Sequence, residues 1–344
     1  MSSESEVAAV AGILPRSYGI VPASLVDGPR GTMTYNYLAE GQDGRRWFVK
    51  SYPPGTDLRA EQEALRLGEF ARSRGIQVPA VRRTSTGELI VTSGARAVSV
   101  SAYVDGAHTA EGGLHGRGWA AVGEAVGRLH KVLALHPAGP PRPVHPREVC
   151  DAERARMRLE RLLDRYGRGT AGGEFAVWAR QAAEERFAAL PRVGAVLEGL
   201  PVTLTAQIVH GDLSSPNVLL RAQEVVGLID FRQPRHRSAA WELGRIVLDP
   251  RTVVTGPDWP AGLGEAVVAY RQANPGLPVE DLLAVPRVTA GYLACSVYPL
   301  SEPVDNPAAV TSGLEAYGRA RHAALELLTG RLDEAEEVLR ARLT

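Results

Sequence analysis

The chain has 344 residues, 44% of them hydrophobic and 23% charged, with a formal net charge of zero. Such a chain carries enough apolar side chain for a substantial core and is excluded from the disordered class. Its charge balance gives no overall pull toward nucleic acid or an anionic membrane, so neither is expected as a partner.

In chain order, residues 1–20 read as a frayed start with a short helix. From about Ala23 to Tyr103 the pattern is strand-rich. Ser24–Val26, Thr34–Ala39, Arg46–Tyr52, Leu89–Thr92 and Ala97–Tyr103 read as five strands separated by Gly and Asp. One helix interrupts them, with Asp57 as its cap and Gly75 at its end. After Gly106 helical periodicity takes over. Trp119, Val122, Val126, Leu129 and Leu133 make one apolar stripe; Ala152, Ala155, Leu159, Leu162 and Tyr166 make another. Further helices are expected at 176–190, 240–248, 263–273, 280–296, 308–328 and 331–343. The Pro-rich segment 137–146 reads as an exposed connection. A strand-rich island, Gln207–Val209, Val218–Arg221 and Val225–Ile229, lies inside the helical half.

That island carries the chemistry. Asp212 sits in a tight loop after an apolar strand, Asn217 follows five residues later, and Asp230 follows eighteen residues after Asp212, closing the next apolar strand. Two carboxylates and an amide carbonyl are the oxygen ligands that a hard cation such as Mg²⁺ prefers. Phosphoryl transfer from ATP needs such a metal, together with positioning and a carboxylate that orients the attacking hydroxyl.

The segments His210-Gly-Asp-Leu-Ser-Ser-Pro-Asn-Val-Leu219 and Ile229-Asp-Phe231 resemble the catalytic and metal-binding loops of the aminoglycoside phosphotransferase and choline kinase superfamily. The resemblance runs in order from about residue 20 to 325. It implies an α+β, two-lobed, protein-kinase-like fold: a small β-rich N-lobe (1–105, a five-stranded sheet plus one helix) and a larger α-rich C-lobe (106–344), with ATP bound between them. It implies Asp212 as the catalytic carboxylate and Asn217 and Asp230 as Mg²⁺ ligands. The strand Trp47-Phe-Val-Lys50 supplies a lysine for the ATP phosphates. Glu61 falls in the apolar stripe of the following helix, where a carboxylate calls for a cation, and Lys50 is the expected partner. By the same resemblance Gly31, Thr32 and Thr34 belong to the loop over the phosphates, and Ser101 and Tyr103 to the crossing segment that meets adenine. Ser214 and Arg232 stand where protein kinases carry lysine and glycine, which moves the chain toward the small-molecule branch. Trp241-Glu-Leu-Gly244 resembles that branch's helix start, with Glu242 where Asp is commoner.

Arg232, Arg235, His236 and Arg237 form a basic run that could contact an acceptor or another anion, or pair with helix carboxylates. His130 reads as a satisfied core histidine. Cys150 and Cys295, far apart and in no CxxC arrangement, read as free thiols in a reduced compartment. The acidic start is unlike a signal peptide, and Val288–Leu300 is too short to span a bilayer, so a soluble cytoplasmic protein is expected, as monomer or homodimer. The function these features imply is an ATP- and Mg²⁺-dependent O-phosphotransferase acting on a small molecule such as an antibiotic, an amino alcohol, homoserine or a sugar. The alternatives are a Ser/Thr kinase of a peptide and an inactive nucleotide-binding pseudokinase.

Overall fold

The computed structural model describes residues 4–29, 34–169 and 172–343. The chain forms two compact units. The first gathers residues 1–108, 219–221 and 226–234, and the second gathers the rest.

The first unit is built on an antiparallel sheet of β1 (Pro22–Asp27), β2 (Tyr35–Gly41), β3 (Arg46–Tyr52), β4 (Val81–Arg82), β5 (Ile90–Ser93) and β6 (Arg96–Ala102), in the order β1-β2-β3-β6-β4, with β5 also on β6. The sheet holds six strands where the sequence pattern gives five. β4 is two residues long, too short for alternation to be read. Period-two alternation gives the sheet two apolar faces. Tyr37, Ala39, Val49, Val98 and Val100 pack with Val10, Ile13 and Leu14 of α1 (Glu4–Ile13) and its continuation. Tyr52, Leu89, Ile90 and Ala97 pack with Leu58 and Leu65 of α2 (Leu58–Arg72). Lys50 follows Val49 on β3, so its side chain leaves the sheet on the opposite side from Val49. Asp57 caps α2 by accepting from the Ala60 N–H at 3.1 Å.

β7 (His108–Thr109) precedes the helical part of the chain. The second unit contains α3 (Gly118–Leu133), α4 (Ala152–Gly167), α5 (Glu174–Glu198), α6 (Ala239–Val247), α7 (Pro250–Thr255), α8 (Trp259–Ala273), α9 (Val279–Leu283), α10 (Val285–Cys295), α11 (Glu302–Asp305), α12 (Ser312–Gly330) and α13 (Leu332–Leu343). A small antiparallel sheet of β8 (Arg142–Val144), β9 (Leu204–Ile208) and β12 (His236–Ser238) lies among them, in the order β12-β9-β8. The Pro-rich segment is therefore partly an edge strand. Pro143 pairs opposite Thr205 and is tolerated there because an edge residue needs no second ladder donor. Where one helix is expected over 280–296 there are two, α9 and α10, parted before Pro286. α5 runs on through Pro191, held by the buried Leu190 and Val193. β10 (Val218–Arg221) and β11 (Glu224–Leu228) form a hairpin whose turn residues, Ala222 and Gln223, both have positive φ, as a tight right-twisting hairpin requires. No described helix is long and apolar enough to cross a membrane.

α3 and α8 approach each other closely, and glycine permits it. A Cβ on Gly123 would stand 2.0 Å from the Ala266 carbonyl oxygen, and one on Gly127 would stand 2.7 Å from the Tyr270 carbonyl oxygen. Both obstacles are backbone, so neither can swing aside. Gly123→Ala is expected to force the helices apart and cost about 1–3 kcal/mol, read as a lowered denaturation midpoint with an unchanged denaturant slope. An unchanged midpoint would show that the packing has room to spare.

Candidate active site

The loop after β9 is a tight turn. Gly211 has φ +89°, a conformation that glycine adopts at little cost. The Asp212 N–H donates to His210 Nδ1 at 3.3 Å. The backbone N–H groups of His210 and Gly211 donate to the carboxylate of Glu242, at 2.8 and 2.7 Å. Glu242 is fully buried at the start of α6, and its third partner is His130 Nε2 at 3.1 Å. His130, on α3, is also fully buried, and its Nδ1 faces the Tyr270 hydroxyl at 2.8 Å. Asn274 Nδ2 donates to that same hydroxyl at 3.1 Å. A single tautomer with the proton on Nε2 satisfies the whole row, from Asn274 through Tyr270 and His130 to Glu242. Burial pushes the Glu242 pKa up, but the hydrogen bond from His130, the favourable field of the His130 and His210 rings and the Gly211 N–H outweigh it, and the net direction is downward.

The far end of the loop is tied down in the same way. Asp249, also fully buried, accepts from the Ser215 N–H at 3.2 Å and the Ser215 hydroxyl at 2.9 Å. It also accepts from the Arg251 N–H at 3.0 Å, capping α7. Glu242 and Asp249, seven residues apart, thus clamp both ends of the segment that carries Asp212. Inside that segment Asn217 Nδ2 donates to the Asp212 carbonyl at 2.8 Å. The Asp212 carboxylate accepts from Arg245 Nη2 at 2.8 Å. Arg245 comes from α6 one turn after Glu242, so one helix sets both the loop backbone and the aspartate side chain.

The first unit holds the remaining candidates. Lys50 Nζ pairs with Asp230 Oδ1. The pairing with Glu61 expected from the sequence is not the one observed. Glu61 is half-buried in the first turn of α2, forms no ion pair among the described residues, and is near enough to Tyr52 for its charge to help raise that phenol's pKa, an effect dominated by burial. Partial solvation removes the need for a cation that full burial would impose. Asp230 has φ +64°, one of three non-glycine residues at positive φ among those described. Such a backbone costs on the order of 1–3 kcal/mol and persists only where neighbours enforce it. The enforcing contacts are the Leu228 N–H bond to the Gln77 carbonyl at 2.8 Å and buried Phe231, whose ring lies against Gly68 of α2. The Thr34 hydroxyl donates to Asn36 Oδ1 at 2.9 Å. Gly31 and Thr32 lie outside the described residues. Ser101 sits on β6 between Phe48 of β3 and Val81 of β4, and the Tyr103 ring lies under the Arg46 guanidinium, 4.3 Å from its centroid.

The Mg²⁺ that the resemblance implies can be tested against these groups. Because Asn217 spends its amide nitrogen on the Asp212 carbonyl, its other atom, Oδ1, is the hard donor left to a cation. The Asp230 carboxylate is 44% exposed. Both fit a hard cation. No group of three or more His, Cys, Asp or Glu gathers among the described residues, and Mg²⁺ customarily takes one or two carboxylates and completes its shell with phosphates and water.

The basic run fares differently. Arg232 and Arg235 are exposed, Arg237 lies over the Trp241 ring, and His236 Nε2 meets the Pro140 carbonyl at 3.0 Å. The arginines that the fold buries are others, Arg186 and Arg321, each 2% exposed. The sequence reading passed over these two, and over Arg245 and Asp249. Only position on a helix face could have signalled the arginines, and arginine on a helix ordinarily reads as a solvated face; Asp249 just before Pro250 carries the signature of a helix cap.

The Glu242 row gives a signed pH dependence. Its carboxyl has a lowered pKa in the folded state, so its contribution is full above the ordinary value of 4.5 and is lost as pH falls through the folded value. Glu242→Gln replaces an acceptor oxygen with a donor facing two N–H groups, and should cost about 3–5 kcal/mol at neutral pH. The gap between variant and wild type should narrow below pH 4.5 in denaturant titrations. A gap independent of pH would disprove the charged-anchor role.

Comparison with known proteins places this arrangement. Residues 29–283 match the model of the phosphotransferase enzyme family that includes the aminoglycoside phosphotransferases. A homoserine kinase of Methylobacterium nodulans is 25% identical over 278 residues, spanning 76% of this chain and 78% of that one. Among solved structures, a spectinomycin phosphotransferase in complex with ADP and spectinomycin superposes with a TM-score of 0.64 at 14% identity, over 94% of this chain and 97% of the other. A microcompartment-associated aminopropanol kinase does so with a TM-score of 0.59 at 16% identity, over 96% and 98%. The fold is that of these kinases, and the chain belongs to the phosphotransferase enzyme family as a kinase-type enzyme.

Proposed function

We propose that this enzyme moves the γ-phosphoryl group of ATP to a hydroxyl of a small molecule in the cytoplasm. The observation that carries the reading is the clamped loop. Asp212 is held from both ends by buried carboxylates, and its own carboxylate is oriented by Arg245. Preorganisation of this kind is what phosphoryl transfer asks of a protein, since the chemistry itself is mostly positioning and charge stabilisation. In the proposed step the acceptor oxygen forms a bond to the γ-phosphorus and its proton passes to Asp212. The bond from phosphorus to the bridging oxygen breaks, and that electron pair leaves with ADP. Lys50 serves the phosphates, and Glu61 of α2 belongs to the same nucleotide-binding set. Gly31, Thr32 and Thr34 cover them, and backbone groups near Ser101 and Tyr103 receive the adenine. Asn217 Oδ1 and the Asp230 carboxylate would hold Mg²⁺, which supplies neutralisation of the phosphate charge.

The acceptors in view are an antibiotic, an amino alcohol, homoserine or a sugar. The relative from Methylobacterium nodulans bears the name homoserine kinase, and the structural neighbours include kinases of an antibiotic and of aminopropanol. The peptide-kinase alternative rested on the basic run, and nothing further in the structure favours it.

Phosphorus NMR with ATP, Mg²⁺ and a panel of hydroxyl compounds tests the reading. Asp212→Asn should lower transfer by roughly two to four orders of magnitude while leaving nucleotide affinity intact. Equal turnover by variant and wild type would refute the role given to Asp212, and no turnover by either would refute the reading and favour a nucleotide-binding pseudokinase.

A further inference from the structure

Within the second unit, Arg186 and Arg321 are buried with no carboxylate partner among the described residues. Arg321 on α12 donates from Nη1 to the Tyr317 hydroxyl at 3.4 Å, and its guanidinium lies 5.1 Å from the Tyr292 ring centroid. Its Nε and Nη2 meet no acceptor in hydrogen-bond geometry among the described residues. Arg186 on α5 donates from Nη1 to the Ser296 carbonyl at 2.6 Å, and its Nε and Nη2 are likewise without acceptors. Burial, and then the like charge of Arg321, push the Arg186 pKa down to about 9, so both side chains remain cations at neutral pH.

Arg321 lines a narrow cleft together with Arg245, Tyr292, Tyr317, Thr289 and Ser214; its volume is about 10 Å³, so as it stands it admits about one water-sized group, such as a single oxygen of an anion. This cleft adjoins the candidate catalytic carboxylate, because Arg245 is the residue that bonds Asp212. Its potential is positive enough to register on a neighbour. Burial raises the Tyr292 pKa, yet the charges of Arg321 and Arg245, together with hydrogen bonding by Arg321, prevail and lower it. The nearby acids are already engaged: Asp212 with Arg245, Asp249 with Ser215 and Arg251, and Glu185 with His322. A buried guanidinium with spare N–H groups and no counter-charge is costly, and two adjacent ones are costlier. Sites with that property are where oxyanions dock, and the planar fork of arginine matches a carboxylate or phosphate.

We infer that this arginine-lined cleft is the acceptor subsite, and that it binds the anionic end, carboxylate or phosphate, of the hydroxyl compound whose hydroxyl is presented to Asp212. The inference rests on the phosphotransfer reading for its purpose and adds the acceptor's chemical class. The same cations repel a polycationic acceptor such as an aminoglycoside.

Binding decides the matter without turnover, so its failure is separable from failure of the phosphotransfer reading. The full-length protein, saturated with Mg²⁺ and ADP to occupy the nucleotide site, is titrated calorimetrically at matched ionic strength with two pairs of probes. One pair is γ-hydroxybutyrate and its neutral diol counterpart. The other is glycerol phosphate and glycerol. The anionic member of at least one pair should bind at least about tenfold tighter than its neutral partner, and which pair responds tells carboxylate from phosphate. Arg321→Gln should abolish that preference and leave ADP affinity unchanged. Equal binding, or no binding, of the anionic and neutral members in both pairs would overturn the proposal, as would a preference that survives in Arg321→Gln. Should that variant fail to fold, the wild-type comparison decides alone.

Discussion

The buried carboxylate of Glu242 is the constraint on which the rest of the site depends. A charge removed from water is tolerated only when its oxygens are fully engaged. Here they are engaged by the backbone of the very loop that presents Asp212, and by His130. The loop therefore cannot relax without exposing an unpaired buried anion. The row continues through Tyr270 to Asn274, so the loop is coupled to the packing of α3 on α8. That packing is close because Gly123 and Gly127 carry no side chain. An ordinary helix contact thus bears on the geometry of the candidate chemistry.

Positive charge is distributed in three distinct ways. Lys50 is paired with Asp230, whose left-handed backbone is enforced by Phe231 and by the Leu228 amide. Arg245 is paired with Asp212. Arg186 and Arg321 have spare N–H groups and no carboxylate partner among the described residues. The first two cations orient Asp230 and Asp212, the two carboxylates of the candidate site. The last two have no such partner, and that separates a role in holding the protein's own acids from a role in holding another molecule's.

Much of the candidate site was legible because it is local. His210-Gly-Asp and Asn217 lie within eight residues, and a tight turn followed by one 3-10 turn, Ser215–Asn217, brings them together; the anchors that clamp this loop, Glu242 and Asp249, come from further along the chain. His130 was legible as a satisfied core residue from the apolar stripe of its helix, although its partners were not. The Lys50–Glu61 pairing went astray because stripe position says which way a side chain faces, and not how much water reaches it. The basic run after Phe231 drew attention by being contiguous, yet its arginines are exposed. The buried arginines are 135 residues apart in the chain (186 and 321), and each alone looks like a helix surface residue.

What the sequence determined by itself is the set of local motifs, the strand-rich and helix-rich regions, and through the two loop motifs the family. Periodicity and turn chemistry are properties of near neighbours and need no tertiary partner. Tertiary structure alone decided which charges meet. Lys50 found Asp230 across 180 residues, Glu242 found the amides of His210 and Gly211, and Arg186 and Arg321 were buried with no carboxylate partner among the described residues. The energy of a charge depends on its burial and on what stands within a few ångströms of it, and both are set by the packing of distant segments.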